Sequence, residues 1–333
     1  MTMRIVAAVM ACSVIAHAQV SPKTVTGSYH FTTPQTAQGF EEAATIVRTL
    51  TAAPQVSTDT ATATLTFSGP AESVDFAAWL LPQIDRATGD DAIHEYRLPS
   101  GDVGRVLFIP VPATPQATQE LLTILRTVAD VQKIFSFTSN HALVLRGPDW
   151  QVAFGAWIAD QLSQPAQKKP DPTPREFTVG GPDFRGMGHG ARINFLAGMT
   201  SPQPTQELLT VLRTVGDVQK VFNYTAAHAL IFRAGDSDLK RAEWIIQRLD
   251  SPAEQPSGAA TFTAPEGDDV TRIFHLRNGT PQSLQATVTG LRSEIRINKV
   301  FCTTIPATIV ARGTADQIAA AMKWMTSHNA LFE

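Results

Sequence analysis

The apolar residues of this chain recur in two alternating patterns. Segments with an apolar residue every three or four positions predict amphipathic helices, and shorter β-branched or aromatic runs predict strands. The helical pattern is clear in three equivalent segments, with apolar positions at Leu121, Leu122, Leu125 and Val128, at Leu208, Leu209, Leu212 and Val215, and at Leu284, Val288, Leu291 and Ile295. Two short β-rich runs follow each segment, as at 131–139 and 142–147. The order strand, helix, strand, strand, helix is therefore predicted to repeat.

Two long segments of the chain are nearly the same. Residues 114–146 and 201–233 are identical at 22 of 33 aligned positions. Two weaker copies carry the same Ser/Thr-Pro-Gln tripeptide before the helical pattern, and its four occurrences begin at Thr33, Thr114, Ser201 and Thr280. This tripeptide predicts a helix start, because the hydroxyl accepts a free backbone N–H and proline lacks that donor. We therefore predict four copies of one unit, with a period of about 80 residues.

Each copy contains a tryptophan at nearly the same position of its second predicted helix. The four residues are Trp79, Trp157, Trp244 and Trp324. Because they lie in amphipathic helices rather than on exposed loops, we interpret them as packing between helix and sheet; a carbohydrate-stacking platform is the alternative. A core of about 55 residues is marginal on its own, so a buried indole in each unit would add needed apolar contact.

These patterns predict an α+β chain of four tandem β-α-β-β-α modules, with a lead-in strand ahead of the later ones. The predicted segments are a cleaved signal peptide at 1–18 and modules at 22–87, 92–166, 175–253 and 260–333, of which the first is divergent. Pro- and Gly-rich segments at 163–175 and 251–260 cannot form a packed core, and they predict semi-extended linkers between modules.

The first residues of the chain indicate export. A basic start at 1–4 precedes an apolar run at 5–16 and a small-x-small cleavage site that ends at Ala18. This run is too short to span a bilayer, and no later stretch is long and apolar enough. A lipoprotein signal with Cys12 acylated is the alternative. We expect an exported protein, periplasmic or secreted, in which Cys302 is a small structural strand residue.

The charge of the chain argues against a nucleic-acid partner. Its formal net charge is −3, charged residues make up 17% of it, and no long basic run occurs. A nucleic-acid-binding surface needs a basic footprint. We therefore expect protein partners of the cell envelope, or self-association.

No recognisable catalytic or metal-binding motif occurs in the sequence. G-x-S-x-G, H-E-x-x-H, C-x-x-C and Walker-type runs are absent. His141 and His228 are equivalent and mark the start of a predicted strand, and His189 lies in a glycine-rich loop that a strand, not a helix, follows. The recurring acidic residues Asp130 and Asp217 are replaced by Ala52 and Arg296 in the other copies. We therefore expect no catalytic residue, cofactor or metal.

Basic residues recur at equivalent positions of the copies. Lys133, Lys220 and Lys299 start the second strand, Arg146, Arg233 and Arg312 end the third, and Arg48, Arg126, Arg213 and Arg292 lie on the first helix. A lysine on an edge strand discourages uncontrolled strand pairing, which is one interpretation of the three lysines. In the other interpretation, the lysines and the strand-ending arginines are contacts between modules or with a partner.

The repeated motif resembles a known family. T-P-Q-x-x-Q-E-L-L-T-x-L-R-T-V-x-D-V-Q-K-[IV]-F, then H-A-L-[VI]-[LF]-R and a helix ending W-I-I-Q-R-L-D, is similar to the periplasmic N-domains of secretins. Secretins are the outer-membrane channels of type II secretion and type IV pili. The similarity covers most of 28–333, unit by unit, and implies a KH-like fold of the kind that builds rings. It does not imply nucleic-acid binding, since the GxxG clamp is missing.

The resemblance also has a limit. Secretins follow their N-domains with a long β-rich pore domain, whereas this sequence stops at Glu333 after the fourth unit. We therefore expect a non-enzymatic scaffold of the bacterial cell envelope, associated with a secretin-type secretion or pilus system, that does not form the channel itself. Exposed sheet edges would bind partners by strand addition. The alternatives are a glycan- or peptidoglycan-binding protein with exposed aromatics such as Tyr96 and Phe184, and an enzyme with a site between modules.

Overall fold

The computed structural model describes residues 24–86, 94–109, 114–163, 173–178, 190–250, 260–264, 269–276 and 279–328. The predicted signal peptide with Cys12, the loop that carries Phe184 and His189, and most of both predicted linkers lie outside these residues. Within the described ranges, no helix combines the length and the apolar character needed to cross a bilayer.

The first module has a three-stranded antiparallel sheet. Its elements are β1 (Val25–His30), α1 (Ala37–Ile46), β2 (Gln55–Asp59), β3 (Thr64–Gly69) and α2 (Ala71–Ile84). The chain continues α1 as a wider π-helical turn over Val47–Thr51. The strand order is β1-β3-β2, so β2 lies at an edge of the sheet.

The other three modules add a lead-in strand and have four-stranded sheets. The second contains β4 (His94–Arg97), β5 (Val103–Phe108), α3 (Pro115–Thr127), β6 (Lys133–Phe137), β7 (Ala142–Gly147) and α4 (Asp149–Ser163). The third contains β8 (Arg175–Thr178), β9 (Gly190–Phe195), α5 (Pro202–Thr214), β10 (Lys220–Tyr224), β11 (Ala229–Ala234) and α6 (Asp236–Leu249). The fourth contains β12 (Ala260–Thr263), β13 (Asp269–His275), α7 (Pro281–Ser293), β14 (Lys299–Thr304), β15 (Ala307–Thr314) and α8 (Ala315–Ser327).

The sheet orders repeat from module to module. They are β4-β5-β7-β6, β8-β9-β11-β10 and β12-β13-β15-β14, with every pair antiparallel. The α+β class with repeated β-α-β-β-α modules is therefore confirmed. The limits given above for the four segments stay predictions.

The first helices begin as predicted in three copies and differently in the first. Thr114, Ser201 and Thr280 are the residues that precede α3, α5 and α7. In the first copy the prediction of a start after Thr33 is wrong, since α1 begins at Ala37 and the hydroxyl of Thr36 accepts the N–H of Gly39 at 3.1 Å. The hydroxyl of Thr33 does not cap a helix: it donates to Asp85 and accepts the side-chain N–H of Gln35 at 2.7 Å.

Each of the later sheets is shared between two modules. Along β11, Leu230 and Phe232 belong to the core of the third module, whereas Ala229 and Ile231 belong to the core of the second. Because side chains alternate between the two faces of a strand, the sheet packs its own helices on one face and the preceding helices on the other. The same alternation occurs along β7 and β15. The modules are therefore stacked in contact with one another.

Candidate functional site

The contacts between modules are the most regular feature of the molecule. We call them the 1/2, 2/3 and 3/4 interfaces after the modules that they join. In each, the first helix of one module packs on the edge strand of the next: α1 on β6, α3 on β10 and α5 on β14. The chain therefore uses one docking geometry three times.

A glutamate on the first helix caps the turn after the next edge strand. The pairs are Glu42 with Thr138, Glu120 with Thr225, and Glu207 with Thr304. The threonine N–H donates to the carboxylate at 2.8, 2.8 and 2.7 Å, respectively. A glutamine one turn earlier on each helix donates to the same glutamate. The carboxylate is therefore held in place before it meets the next module.

An aspartate just after the helix forms ion pairs with the next module. Asp130 accepts from Lys220 at 2.5 Å and from Arg233 at 2.6 Å in the 2/3 interface. Asp217 does the same with Lys299 and Arg312 in the 3/4 interface. Both aspartates have a φ of 59°, a left-handed conformation that Asp tolerates better than most residues.

The 2/3 ion pair is well shielded from water. The side chain of Arg233 is 1% exposed and that of Asp130 is 26% exposed. Burial raises the pKa of Asp130, but its hydrogen bonds and the charges of Lys220 and Arg233 lower it more, so the net pKa lies below the usual range. The pKa of Asp217 is lowered by the same balance of causes.

The 1/2 interface lacks this ion pair. The position equivalent to Asp130 is Ala52, also left-handed at a φ of 59°. Arg146 donates instead to the backbone carbonyl of Leu50 in the first module, and it pairs with Asp102 of its own module at 3.0 Å. Lys133 is exposed and makes no ion pair with any residue that the structure describes. Of the six candidate basic residues, five therefore contact the preceding module.

The tryptophans lie between modules. Trp79 packs against Tyr96, Trp157 against Phe177 and Trp244 against Phe262, with ring centroids 5.4, 5.2 and 5.7 Å apart. In each pair the second ring belongs to the lead-in strand of the next module. Trp324 differs, since it stacks on His328 at 4.1 Å and donates its indole N–H to Glu294 at 2.7 Å.

Replacing Trp157 by alanine is expected to lower the free energy of unfolding by about 3 kcal/mol, because the indole packs against both rings of the stacked pair Phe154 and Phe177. Trp324→Ala is the matched control, since its ring contacts its own module. We expect a clearly smaller loss for Trp324→Ala in urea denaturation followed by circular dichroism. Equal losses for the two variants would contradict a role of Trp157 in the 2/3 interface.

The arginines on the first helices act within their own modules. Arg48, Arg126, Arg213 and Arg292 donate to the carbonyls of Val56, Ile134, Val221 and Val300 at 3.1, 3.1, 2.9 and 2.8 Å. Each carbonyl belongs to the second residue of the edge strand. Because this bond occupies a carbonyl at the sheet edge, it opposes the strand addition expected there.

The histidines and the cysteine have structural environments. His141 and His228 are left-handed, and their carbonyls accept the N–H groups of Ile109 and Leu196 at 3.0 and 2.7 Å. Cys302 lies in β14, where burial raises the pKa of its thiol. Among the residues that the structure describes, no group of His, Cys, Asp and Glu side chains is placed to hold a metal ion.

The interfaces are expected to weaken in acid. The folded pKa of Asp130 and Asp217 lies below the unfolded value of about 3.9, so their stabilising contribution is complete above that value and is lost as pH falls through the folded pKa. The measurement is the urea midpoint between pH 7 and pH 3 for the wild type and for Asp130→Asn/Asp217→Asn. Superimposable pH profiles would show that these two groups carry none of the dependence.

Comparison with known proteins gives distant similarity. No family model matches the chain, and neither does any curated protein. One similar solved structure is the pilotin–secretin AspS–GspD complex of ETEC, with 12% sequence identity and a TM-score of 0.17, over 91% of this chain and 55% of that chain. Another is Aeromonas hydrophila ExeD, with 12% identity and a TM-score of 0.17, over 89% of this chain and 60% of that chain. A third is aspartate kinase from Synechocystis, with 13% identity and a TM-score of 0.18, over 92% of this chain and 54% of that chain. The chain spans little more than half the length of each, and similarity at these TM-scores carries no argument about function.

Proposed function

We propose that this protein is a non-enzymatic scaffold that holds four stacked modules for protein partners of the bacterial cell envelope. The observation that supports the proposal is the threefold repetition of one docking geometry. Glutamate and tryptophan stand at equivalent positions in all three interfaces, and aspartate in two of them. Modules stacked in this way form a continuous core and an extended outer surface, which is the arrangement by which repeat proteins bind other proteins.

The cellular setting of the proposal comes from the sequence. The signal-peptide pattern at 1–18 supports export to the periplasm, with secretion as the alternative. The repeated motif supports a secretin-type secretion or pilus system as the place where the scaffold works. In that setting the modules correspond to secretin N-domains joined in one chain.

Clefts on the flank of the stack are the surface that we assign to partners. A cleft of about 440 Å³ lies at the 2/3 interface, lined by Glu120, Arg213, Asn223 and His228 among others. A smaller one of about 230 Å³ recurs at the 1/2 interface. The floor residue Asn223 corresponds to a serine, a cysteine and a threonine in the other modules. The stack thus presents different side chains on one repeated framework.

A photo-crosslinking amino acid placed at Asn223 tests the proposal in cells. We expect a reproducible adduct with a cell-envelope protein, and we expect Asp130→Lys to abolish it by separating the second and third modules. The same amino acid at the exposed Asp160 is the control position. Absence of any protein adduct from Asn223, and from the same amino acid placed at the equivalent Ser136 of the 1/2 cleft, would refute the scaffold function.

The glycan-binding alternative loses one of its two candidate aromatics. Tyr96 packs against Phe76 and Trp79, with ring centroids 5.4 Å from each. A ring enclosed in this way is not an open stacking platform for a sugar. The second candidate, Phe184, lies outside the described residues.

A further inference from the structure

The first module presents a hydroxyl-rich sheet face where the later modules present an apolar one. In the third module, the cross-strand trio Ile193, Ile231 and Phe222 packs against the preceding helices. The trios at the same register are Val106, Val144 and Phe135 in the second module and Ile273, Val310 and Phe301 in the fourth. In the first module the trio is Ser28, Thr66 and Ser57. The surface that would receive a preceding helix is therefore polar.

The basic pair of the interface is also missing from the first module. Lys220 and Arg233 stand opposite each other on adjacent strands, and the residues at the same register in the first module are Gln55 and Ser68. The hydroxyl of Ser68 donates to the side-chain oxygen of Gln55 at 2.9 Å. The two residues therefore satisfy each other and offer no positive charge to an incoming carboxylate.

The fourth module has lost the complementary half of the interface. On α7, Ala286 stands where the other first helices carry the capping glutamate. Arg296 stands at the aspartate position and keeps the left-handed conformation, with a φ of 60°. Glu294 replaces the buried apolar residue that is Leu50, Val128 and Val215 in the other modules. A following module of the same kind would place its own lysine and arginine against Arg296, and it would bury the Glu294 carboxylate.

Trp324 covers part of this helix face. The second and third modules carry Ile124 and Val211 where the fourth has Gly290, and a Cβ atom there would overlap the Trp324 ring. The indole thus takes the place of a side chain, and its N–H is held by Glu294. What remains is an open groove of about 990 Å³ whose lining includes Gln282, Gln285, Thr289 and Ser293. The groove combines these polar side chains with the apolar Leu276, Pro281, Ala286 and the Trp324 ring.

We infer that both outer faces of the stack are closed to a further module of this kind, including one from a second copy of the chain. An interface between unlike surfaces produces rings or filaments wherever its two halves remain open. Here the acidic half is absent from the last face and the basic half from the first. The first face has also lost its apolar centre, and on the last face Glu294, Gly290 and Trp324 replace the aliphatic residues of the interior interfaces. This inference extends the proposed scaffold function, since it limits the stack to four modules and leaves the flank for partners.

Two redesigned full-length chains test the inference. The first restores the receiving face with Ser28→Ile, Gln55→Lys, Ser57→Phe, Thr66→Val and Ser68→Arg. The second restores the donating face with Ala286→Glu, Thr287→Leu, Glu294→Val and Arg296→Asp. By light scattering over a concentration series, we expect the wild type and each redesigned chain alone to show no head-to-tail association. We expect an equimolar mixture of the two to double in mass.

The outcomes are separable from those of the cellular experiment, since only purified protein is used. Failure of the folded, redesigned chains to associate would overturn the inference. Concentration-dependent association of the wild type that Ser57→Glu abolishes would also overturn it. If circular dichroism shows that the redesigned chains do not fold, the charge-only pair Gln55→Lys/Ser68→Arg and Ala286→Glu/Arg296→Asp is judged by the same criteria, at low salt.

Discussion

Replacing Asp130 by asparagine is expected to lower the free energy of unfolding by about 3 kcal/mol, because it removes the carboxylate that Lys220 and the buried Arg233 share. Asparagine keeps the shape of the side chain and tolerates the φ of 59° at this position, so the loss reports the charge rather than the backbone. Urea denaturation measured by circular dichroism gives the difference.

Asp217→Asn is the matched comparison for this variant. We expect it to cost less, because this ion pair is more exposed. The side chains of Arg312 and Asp217 are 11% and 35% exposed, against 1% and 26% for Arg233 and Asp130. A loss at Asp217 equal to or greater than that at Asp130 would contradict this account. Asp160→Asn, at an exposed position of α4, controls for the change of net charge.

Replacing Asp85 by alanine is expected to cost about 4 kcal/mol, because hydrogen bonds to a charged group contribute roughly 1.5–3 kcal/mol each and several are lost together. The carboxylate accepts from the hydroxyl of Tyr29 at 2.9 Å and from the N–H and hydroxyl of Thr32 at 2.6 and 2.7 Å. Thr33 donates through the same two groups. Asp85 is only 2% exposed and Tyr29 and Thr33 are half-buried, whereas Thr32 is exposed, so water would reach only some of the donors that lose the carboxylate.

Asp250 is the matched control for Asp85. It lies at the equivalent end of α6 and accepts the N–H groups of Ala197, Gly198 and Met199 at 2.7, 2.8 and 2.7 Å. Because Asp250 and part of this loop are more exposed than Asp85, water can replace some of the lost bonds after Asp250→Ala. We therefore expect a smaller loss by urea denaturation. The reverse order would show that burial does not decide the cost.

The sequence predicts the fold well because local patterns determine most of it. The stripe of Leu121, Leu125 and Val128 specifies a helix with one apolar face. The residues that cap this helix directly adjoin it in the sequence. The start of α1 was mispredicted because the deciding contact is not local. Thr33 is bound by Asp85, 52 residues further along the chain, and no nearby residue indicates this bond.

The interfaces could be predicted only in part. The recurring lysines and arginines indicate positions of importance, but their partners depend on which helix crosses which strand. The sequence alone therefore does not identify Glu42, Glu120 and Glu207 as interface residues. A usable pattern was nonetheless present in the sequence: both acidic positions are lost in the fourth copy and both basic positions in the first, where Ala52 also replaces the aspartate. Complementary losses at opposite ends are typical of a directional interface between consecutive units.

The sharing of each sheet between two cores has a consequence for how such a chain can change in length. Because the interior modules both donate and receive the same contacts, an unequal exchange between the near-identical segments would remove residues 114–200 and leave one hybrid module. In that chain α1 would pack on β10, and α5 would still pack on β14. The outer faces of the first and fourth modules would not change. Interior units can therefore be gained or lost in whole periods, while the first and fourth modules stay irreplaceable.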